Sequence, residues 1–289
     1  MKRGKVSVII NCLNGYNFLE ECLKSVLNQT YKNIEIIFWD NNSSDESIKL
    51  IKKFKDKGIR IFKSPKTLKL YDARNKAINK STGEFIAFLD IDDTWHPKKT
   101  EKQLKKLRKE RSDIIYNNHW LVSDKKKIFS KNKLPSKKMT YEILNNYPIC
   151  ISTVLLKRDV FFKIKKFNKK YEIIGDFDLF FRISKKYKFS VIQEPLVNYL
   201  SHSENTSKTK FNLRISEMYY WLKSNSNINE NKMYLHLFKK MYLKNKYLES
   251  SNYIITKKYK DFFISLSKIN DLKLCIKLLI KLIFYKFFK

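Results

Sequence analysis

The chain has 289 residues, 43% of them hydrophobic, and a formal net charge of +33. This length supports one large domain or one domain with an appendage, and five glycines with five prolines exclude low-complexity linkers. The positive charge favours an anionic partner, namely nucleic acid, an acidic membrane surface or a phosphorylated substrate.

The cysteines and the apolar runs indicate a cytosolic protein. None of the four cysteines forms a CxxC pair, and three lie within apolar runs, as expected of reduced and buried thiols. The apolar run at residues 6–10 is short and is followed by Asn11, which predicts a strand and not a signal peptide. No window reaches the roughly 18 apolar residues that a transmembrane helix needs.

The first third of the chain predicts alternating strands and helices. "VSVII" has the continuous β-branched composition of a buried strand, and apolar residues from Phe18 to Leu27 recur at the i, i+3, i+4 spacing of a helix. Further strands are predicted at residues 34–40, 58–62 and 84–90, with helices between them. Alternation with short connections predicts an α/β fold with a mostly parallel sheet and flanking helices.

These signals continue to about residue 205 and then change. The predicted elements are a helix after Pro97, strands at 113–118 and 149–157, a helix from about Asp176, and one or two strands within 189–202. From about Thr206 the chain predicts helices alone. We therefore expect a catalytic domain at 1–205 and a basic, aromatic-rich helical extension at 206–289.

Three carboxylates occupy four positions at the end of the strand 84–90. Asp90, Asp92 and Asp93 repel one another unless a proton or a cation intervenes, and a divalent ion with oxygen ligands, Mg²⁺ or Mn²⁺, meets that need. In an open parallel sheet, ligands bind beyond the carboxyl ends of the strands, where Asp40 also lies. The cluster indicates a site for a phosphorylated ligand. The alternative is a solvated acidic turn that caps the helix at Pro97.

Several segments, in order, resemble glycosyltransferase family 2, which has the Rossmann-like GT-A fold. They are "VSVII", "SVLNQTYKNIEII", "DNNSSD", "ARNKA" and "FLDIDD", followed later by "GDFDLFFRI". They cover roughly residues 5–205, and several motifs jointly are far more specific than any one. The resemblance implies an inverting glycosyltransferase of hexosyltransferase type that uses a nucleotide-sugar donor, expected to be a UDP-sugar. The implied acceptor is a glycan of bacterial surface polysaccharide, lipopolysaccharide or capsule.

The resemblance also implies a metal site. Asp92 matches the aspartate that binds Mn²⁺ or Mg²⁺, and Asp90 matches the residue that contacts the ribose or a metal-bound water. Asp93 is expected to orient either of them. His202 lies where some members of the family carry a histidine that contacts phosphate or metal, although a lone histidine is more often a surface or core residue.

The remaining nucleotide-sugar contacts implied by the resemblance are Asn11, Asp40 and Arg74. Asp40 matches the aspartate that reads the nucleobase, where an acceptor-only carboxylate suits the N3–H of uracil. Asn11 begins the loop after the first strand, in which "NCLN" replaces the "PTYN" common in the family. The alternatives are a strand-end turn residue at Asp40 and an ordinary surface arginine at Arg74.

Asp176 matches the general base of the family. The usual segment is "EDxxL", whereas this chain has "GDFDL", so Gly175 replaces the glutamate and Asp178 is a second candidate. The mechanism needs one carboxylate within hydrogen-bond reach of the acceptor hydroxyl. The alternative is an aspartate that caps the following apolar helix. Trp95 is a candidate to stack on the acceptor sugar, and a core aromatic is the alternative.

The helical extension contains 18 Lys and Arg against 5 Asp and Glu. In its last segment, Lys273, Lys277 and Lys281 recur every four residues beside an apolar face, as in an interfacial amphipathic helix. We expect it to bind an anionic membrane, which places a cytoplasmic enzyme at the inner face of the membrane, next to a lipid-linked acceptor. The alternative is a helix that packs on the protein with its lysines outward.

The composition is also compatible with two other classes of protein. A nucleic-acid-binding protein would use the basic charge and the interleaved aromatics, but the charge is spread along the chain and no DNA- or RNA-binding module is recognisable. A dinucleotide-dependent oxidoreductase needs a glycine-rich turn after the first strand, and "NCLNGYNF" contains one glycine. We therefore expect an enzyme without a nucleic-acid partner.

Overall fold

The computed structural model describes residues 2–123, 126–129 and 132–287. The chain divides into two compact units, Met1–Asn205 and Thr206–Lys289. The first unit contains the β-sheet and the second is helical.

The first unit is built on one mixed sheet. Within the described residues its strands are β1 (Lys2–Cys12), β2 (Ile34–Asp40), β3 (Ile59–Lys63), β4 (Gly83–Asp90), β5 (Thr94–Trp95), β6 (Ile114–Ser123), β7 (Lys126–Ile128), β8 (Leu155–Lys157) and β9 (Phe189–Leu200). Their order is β3-β2-β1-β4-β8-β6-β9-β5, with β7 paired to β6. The pairings among β1, β2, β3 and β4 are parallel, whereas β8 is antiparallel to both of its neighbours. The α/β fold is as expected, with antiparallel pairs confined to its second half.

Short helices connect the strands. They are α1 (Tyr16–Leu27), α2 (Ser47–Lys52), α3 (Leu70–Asn79), α4 (Lys99–Glu110), α5 (Met139–Asn146), α6 (Arg158–Lys163) and α7 (Gly175–Ser184), with 3₁₀ turns at Lys55–Lys57 and Ile151–Thr153. Alternate residues of β1 and β2 pack with the apolar faces of α1, α2 and α4 in one core cluster, in which Val8, Ile10, Leu19 and Phe38 are fully buried. Truncating such a side chain to alanine costs about 2–5 kcal/mol.

The register of the parallel strands brings three polar residues to one edge of the sheet. Asn11 pairs with Trp39 on β2 and with Asp90 on β4, and Cys12 pairs with Asp40. Because all three strands run the same way, the carboxyl ends of β1, β2 and β4 meet at this edge. This edge positions the candidate site.

The segment 149–157 differs from the expected continuous strand. It forms a 3₁₀ turn followed by the three residues of β8. Side chains satisfy the backbone of the turn in place of a neighbouring strand, since Trp95 Nε1 donates to the Ser152 carbonyl at 2.9 Å and Gln103 Nε2 donates to the Thr153 carbonyl at 2.7 Å. The Ser152 Oγ atom in turn accepts a hydrogen bond from the backbone nitrogen of Asp90 at 3.1 Å. Apolar composition alone did not reveal these contacts.

The second unit consists of α8 (Thr206–Thr209), α9 (Phe211–Ser226), a 3₁₀ segment (Asn229–Tyr234), α10 (Leu235–Ile255), α11 (Tyr259–Ser267) and α12 (Leu272–Phe287). A small apolar core contains Ile254, Phe262, Ile269, Leu278 and Leu282. Asn245 Nδ2 donates to the Ile215 carbonyl at 3.0 Å and ties α10 to α9. Among the residues that the structure describes, none of the helices combines the length and the apolar character that crossing a bilayer requires.

The last helix, α12, has two apolar faces with different surroundings. Leu278 and Leu282 are buried in the core of the unit. The opposite face is exposed and comprises Leu272, Ile276, Leu279, Ile280, Ile283 and Phe284. The helix is therefore part of the core and also presents an apolar surface.

Candidate active site

Asn11 lies at the centre of the edge where β1, β2 and β4 end. Its side-chain nitrogen and oxygen are both buried and have no hydrogen-bond partner among the described residues. The indole nitrogen of Trp39, on the adjacent strand β2, is also buried and has no hydrogen-bond partner among the described residues. A buried polar group without a partner is costly, so these two side chains make this edge a candidate place for an ordered water or a polar ligand.

Asp40 is 0% exposed at the end of β2. The backbone nitrogen of Ser43 donates to both of its carboxylate oxygens at 3.2 Å. This contact is the one that a strand-end turn residue makes. A carboxylate has lone pairs beyond those used here, and the contact of Asp40 with a nucleobase stays a prediction.

The buried Arg74 forms an ion pair with the partly exposed Asp90. Arg74 Nη2 contacts Asp90 Oδ1, and the Arg74 guanidinium lies 5.3 Å from the centroid of the Tyr71 ring. Tyr71 and Arg74 are three residues apart on α3, so both project from the same side of the helix. The pair places a positive charge beside the end of β4, where an anionic ligand would otherwise face Asp90 alone.

Asp92 is held by the segment that follows β9. Its Oδ2 lies 3.0 Å from His202 Nε2 and accepts a hydrogen bond from Asn205 Nδ2 at 3.1 Å. Asn205 also accepts from the backbone nitrogen of His202 at 2.7 Å. Burial and the neighbouring Asp90 raise the pKa of Asp92, and His202 opposes that rise. Asp92 and His202 are 110 positions apart in the sequence, and the fold brings these two candidate site residues into contact.

Asp93 is 1% exposed and joins the acidic turn to β9. Its Oδ1 accepts a hydrogen bond from the backbone nitrogen of Leu200 at 3.1 Å, whereas its Oδ2 has no partner among the described residues. Burial, followed by repulsion from Asp90 and Asp92, raises the pKa of Asp93 well above its usual range. Burial and the neighbouring carboxylates therefore both favour the protonated form of Asp93.

The described side chains of the site offer only some of the ligands that a divalent ion needs. Within residues 2–123, 126–129 and 132–287, no group of three or more His, Cys, Asp or Glu side chains is arranged to hold a metal. Asp90 is turned to Arg74, which leaves Asp92 and His202 as the adjacent pair of donors. Carboxylate oxygen suits Mg²⁺ and Mn²⁺, which commonly take their other ligands from water and substrate phosphates. The carboxylate of Asp92 and the imidazole of His202 are donors of the right chemistry for such an ion, and its binding stays a prediction.

Asp176 lies in the first turn of α7 and accepts hydrogen bonds from two tyrosine hydroxyl groups. Tyr71 donates to its Oδ1 at 2.9 Å, and Tyr147 donates to its Oδ2 at 2.8 Å. Burial raises the pKa of Asp176, and the hydroxyls of Tyr147 and Tyr71 together with Arg74 act in the opposite direction. The N-cap position of α7 belongs to Ile174, so Asp176 is not the capping residue that the alternative interpretation requires.

Asp178 has different partners. Its Oδ2 lies 2.8 Å from Arg182 Nη2 and accepts from Arg182 Nε at 2.9 Å. The same guanidinium donates to the carbonyls of Ile164 and Lys166. Asp178 therefore joins α7 to the turn after α6.

Trp95 is 3% exposed and belongs to the main core cluster. Its indole nitrogen binds the Ser152 carbonyl, and the Lys99 ammonium lies 3.7 Å from the ring centroid. A face that is covered in this way offers no stacking surface to a sugar. The structure thus places Trp95 as the core aromatic of the alternative interpretation.

Four residues of this site were not found from the sequence: Tyr71, Tyr147, Ser152 and Asn205. Each acts through a neutral hydroxyl or amide, and such groups are common throughout this Asn-, Ser- and Tyr-rich chain. A signal existed for Tyr71, which stands one helical turn before Arg74 in "YDAR". For the other three, the contacts depend on segments far apart in the sequence.

A comparison with known families and sequences is consistent with this geometry. The model of "Glycosyl transferase family 2" matches residues 7–189. An uncharacterised glycosyltransferase of Methanocaldococcus jannaschii is 29% identical over 233 residues, which are 78% of this chain and 80% of the relative. An Escherichia coli UDP-Glc:α-D-GlcNAc-diphosphoundecaprenol β-1,3-glucosyltransferase is 29% identical over 208 residues, 71% of this chain and 81% of the relative.

Solved structures show the same fold. The structure of S. aureus TarS 1–349 in complex with UDP-GlcNAc matches with a TM-score of 0.62 at 14% identity, covering 97% of this chain and 81% of that one. A mannosyltransferase from Pyrobaculum calidifontis in complex with GDP-Man and Mn²⁺ matches with a TM-score of 0.60 at 15% identity, covering 99% and 88%. These likenesses confirm the expected GT-A architecture with a helical C-terminal extension.

Proposed function

The chain belongs to glycosyltransferase family 2 and is a nucleotide-sugar-dependent enzyme, and we propose that it moves a sugar from a UDP-linked donor to a hydroxyl of a lipid-linked glycan, with inversion. The observation that carries this proposal is the chain of contacts Asp176–Tyr71–Arg74–Asp90. It connects a carboxylate suited to deprotonate an acceptor with the aspartate turn suited to a donor diphosphate.

On the donor side, the proposal assigns binding to the edge where β1, β2 and β4 end. We assign contacts with the nucleoside to the buried carboxylate of Asp40 and to the amide of Asn11, which has no hydrogen-bond partner among the described residues. Asp90 is assigned to the ribose hydroxyl. Arg74 holds Asp90 and offsets the negative charge of the diphosphate. Asp92 and His202 would hold Mn²⁺ or Mg²⁺, which when bound would supply Lewis-acid stabilisation of the leaving nucleoside diphosphate.

On the acceptor side, Asp176 is the general base. Its carboxylate takes the proton of the acceptor hydroxyl as that oxygen forms a bond to the anomeric carbon. The bond from this carbon to the diphosphate oxygen breaks, and the nucleoside diphosphate leaves with the electron pair. Attack opposite the leaving group inverts the anomeric configuration. We assign Asp178 no part in this step, because its side chain is buried and forms an ion pair with Arg182.

Two relatives support a UDP donor and a lipid-linked acceptor. The Escherichia coli relatives at 29% and 37% identity are both named UDP-Glc:α-D-GlcNAc-diphosphoundecaprenol glucosyltransferases. A polyprenol-linked acceptor is confined to a membrane, so an enzyme that approaches the bilayer gains local substrate concentration. We place the protein at the inner face of the cytoplasmic membrane, consistent with its four free cysteines.

The exposed face of α12 is the proposed membrane contact. Its apolar side chains include Leu272 at 76% and Phe284 at 64% exposure, and Lys273 and Lys277, also exposed, flank them. An apolar face beside lysines suits the boundary of anionic headgroups and acyl chains. Because Leu278 and Leu282 are core residues, substitutions on the exposed face test this contact better than truncation of the helix.

A panel of nucleotide sugars, scored for Mn²⁺-dependent hydrolysis and transfer to a GlcNAc-diphosphate-lipid acceptor, tests the proposed reaction. Thermal unfolding with UDP and Mn²⁺, run beside a single-stranded oligonucleotide, tests ligand class. We expect UDP to stabilise the protein only with metal. Stabilisation by the oligonucleotide alone, with no hydrolysis of any donor, would replace this proposal with a nucleic-acid-binding role.

A further inference from the structure

Both oxygens of Asp176 are engaged by tyrosine hydroxyls from different parts of the chain. Tyr71 belongs to α3, which also carries Arg74, and Tyr147 directly follows α5. The two O···O distances, 2.9 and 2.8 Å, are those of good hydrogen bonds to a carboxylate. Asp176 is thus held at two points, one on each side.

Each tyrosine is itself fixed by packing. The Tyr71 ring stacks obliquely on Phe167 with ring centroids 5.0 Å apart, and the Tyr147 ring meets the edge of Phe177 at 5.4 Å. Locked rings leave the hydroxyls little freedom, so the carboxylate they contact is also restricted. Such support is what keeps a reacting group within a productive geometry.

The absence of a side chain at Gly175 leaves room for the Tyr71 ring beside Asp176. A Cβ atom at Gly175 would lie 2.4 Å from the Tyr71 ring, far inside van der Waals contact. The glutamate that the family pattern carries at this position therefore cannot coexist with Tyr71 in its present position. In this chain the residue before Asp176 has no side chain, and the Tyr71 ring lies in that space.

The Tyr71 hydroxyl has a second acceptor nearby, the carbonyl of Ile173 at 3.1 Å. One hydroxyl hydrogen serves one acceptor at a time, and an ionised carboxylate is the stronger one. Once Asp176 holds the proton of the acceptor hydroxyl, the Tyr71 hydrogen can turn to Ile173. Its oxygen then accepts from the new carboxylic acid, so neither protonation state leaves a buried polar group unpaired.

We propose that Tyr71 and Tyr147 are the positioning residues of the base, holding both oxygens of Asp176 toward the acceptor hydroxyl in place of the missing second acid. This inference rests on the proposed glycosyl transfer and on Asp176 as its base. The charged and titratable groups around Asp176 are Tyr71 and Arg74 on α3, and Tyr147 and Cys150 after α5. Of these, the two tyrosines are the direct hydrogen-bond donors.

The test compares Tyr71→Phe, Tyr147→Phe and the double variant with the parent enzyme over a range of pH. Each substitution removes a donor that favours the ionised carboxylate, so the pKa of Asp176 rises. The acidic limb of the kcat/KM profile should move to higher pH by about one unit for each tyrosine. The plateau kcat should fall by about tenfold or more, with the donor KM within about twofold. Tyr31→Phe, which removes a hydroxyl that binds the Gly4 carbonyl, should leave the profile unchanged.

The outcomes separate the two proposals. If the parent enzyme transfers no sugar, the proposed function fails. If the parent is active and Asp176→Asn is not, but both tyrosine variants keep the parental acidic limb and kcat, the positioning role alone is overturned. Should Tyr71→Phe fail to fold, Tyr147→Phe decides the question, because its hydroxyl contacts Asp176 while its ring packing is preserved.

Discussion

In the first unit, carboxylates are buried: Asp40 is fully enclosed at the end of β2, and Asp93, in the acidic turn, is 1% exposed. In the second unit, large apolar side chains are exposed, with Leu272, Ile280, Ile283 and Phe284 on one side of α12. Both features are costly for an isolated soluble protein. On the proposed function, the two units therefore bind different partners. The carboxylates of the first unit serve a cation and a polar ligand, and the exposed apolar face of the second serves an apolar surface.

The largest effect should come from the acidic turn. Asp92→Asn keeps the size of the side chain and its contact with Asn205, but removes the charge that we assign to the metal. We expect turnover to fall at least about 10³-fold and UDP to lose its metal-dependent stabilisation, with an unchanged melting temperature in the absence of ligand. Enzyme assays and thermal unfolding measure this.

The matched control is Asp159→Asn, which changes an aspartate on α6 that pairs with Lys163. It should leave turnover unchanged. Full activity of the parent enzyme in excess chelator would contradict the metal assignment, whatever the effect of Asp92→Asn.

Asp176 and Asp178 are two positions apart, but their substitution should affect different properties: kcat for Asp176 and thermal stability for Asp178. Asp176→Asn should lower kcat about 10²-fold or more while UDP affinity is kept, since the base acts on the acceptor. Asp178→Asn breaks the contact with Arg182 and should lower the melting temperature more than kcat. Steady-state kinetics beside thermal unfolding distinguish the two. A joint loss of UDP affinity and stability in Asp176→Asn would make Asp176 a structural residue.

The pH profile of the parent enzyme gives an independent check on Asp176. The base must be ionised to accept a proton, and burial raises the pKa of its carboxyl. Activity should therefore be lost as the pH falls through a value above the usual range of an aspartate, which is near 3.9. A kcat/KM that stays constant down to pH of about 4 would contradict a buried aspartate base.

Leu278 and Ile280 lie on the buried and the exposed face of α12, so their substitution compares the two faces. Leu278→Ala opens a cavity in the core of the second unit and should cost about 2–5 kcal/mol in the free energy of unfolding. Ile280→Ala removes an exposed side chain and should change it by less than about 0.5 kcal/mol. Denaturant unfolding followed by circular dichroism measures both. Equal losses would mean that the exposed face is also covered within the protein.

The sequence predicted the elements of the first unit whose signal is local. The β-branched runs located β1, β2 and β4, and because parallel strands end at one edge, Asn11, Asp40 and Asp90 came together as expected. Residue spacing could not predict that Ser152 would bind the end of β4 or that Tyr147 would reach Asp176, 29 positions away. Such contacts depend on how loops fold over the sheet. For α12, the spacing revealed the lysines but not which apolar residues enter the core.

The smallest effect should come from the lysines beside the apolar face of α12. Lys273 and Lys277 are exposed, and each basic residue near an anionic surface contributes about 1 kcal/mol. Lys273→Gln combined with Lys277→Gln should therefore weaken binding to vesicles with anionic lipid by about 30-fold. Raising the salt concentration should release the parent protein for the same reason, because salt screens these charges.

The control is Lys105→Gln combined with Lys109→Gln, which makes the same change of charge on α4 of the first unit, where both lysines are exposed. If this control weakens vesicle binding equally, the overall charge of the protein and not the face of α12 attracts the membrane. If neither pair has an effect, the apolar side chains alone make the contact, or the membrane is not the partner of this face.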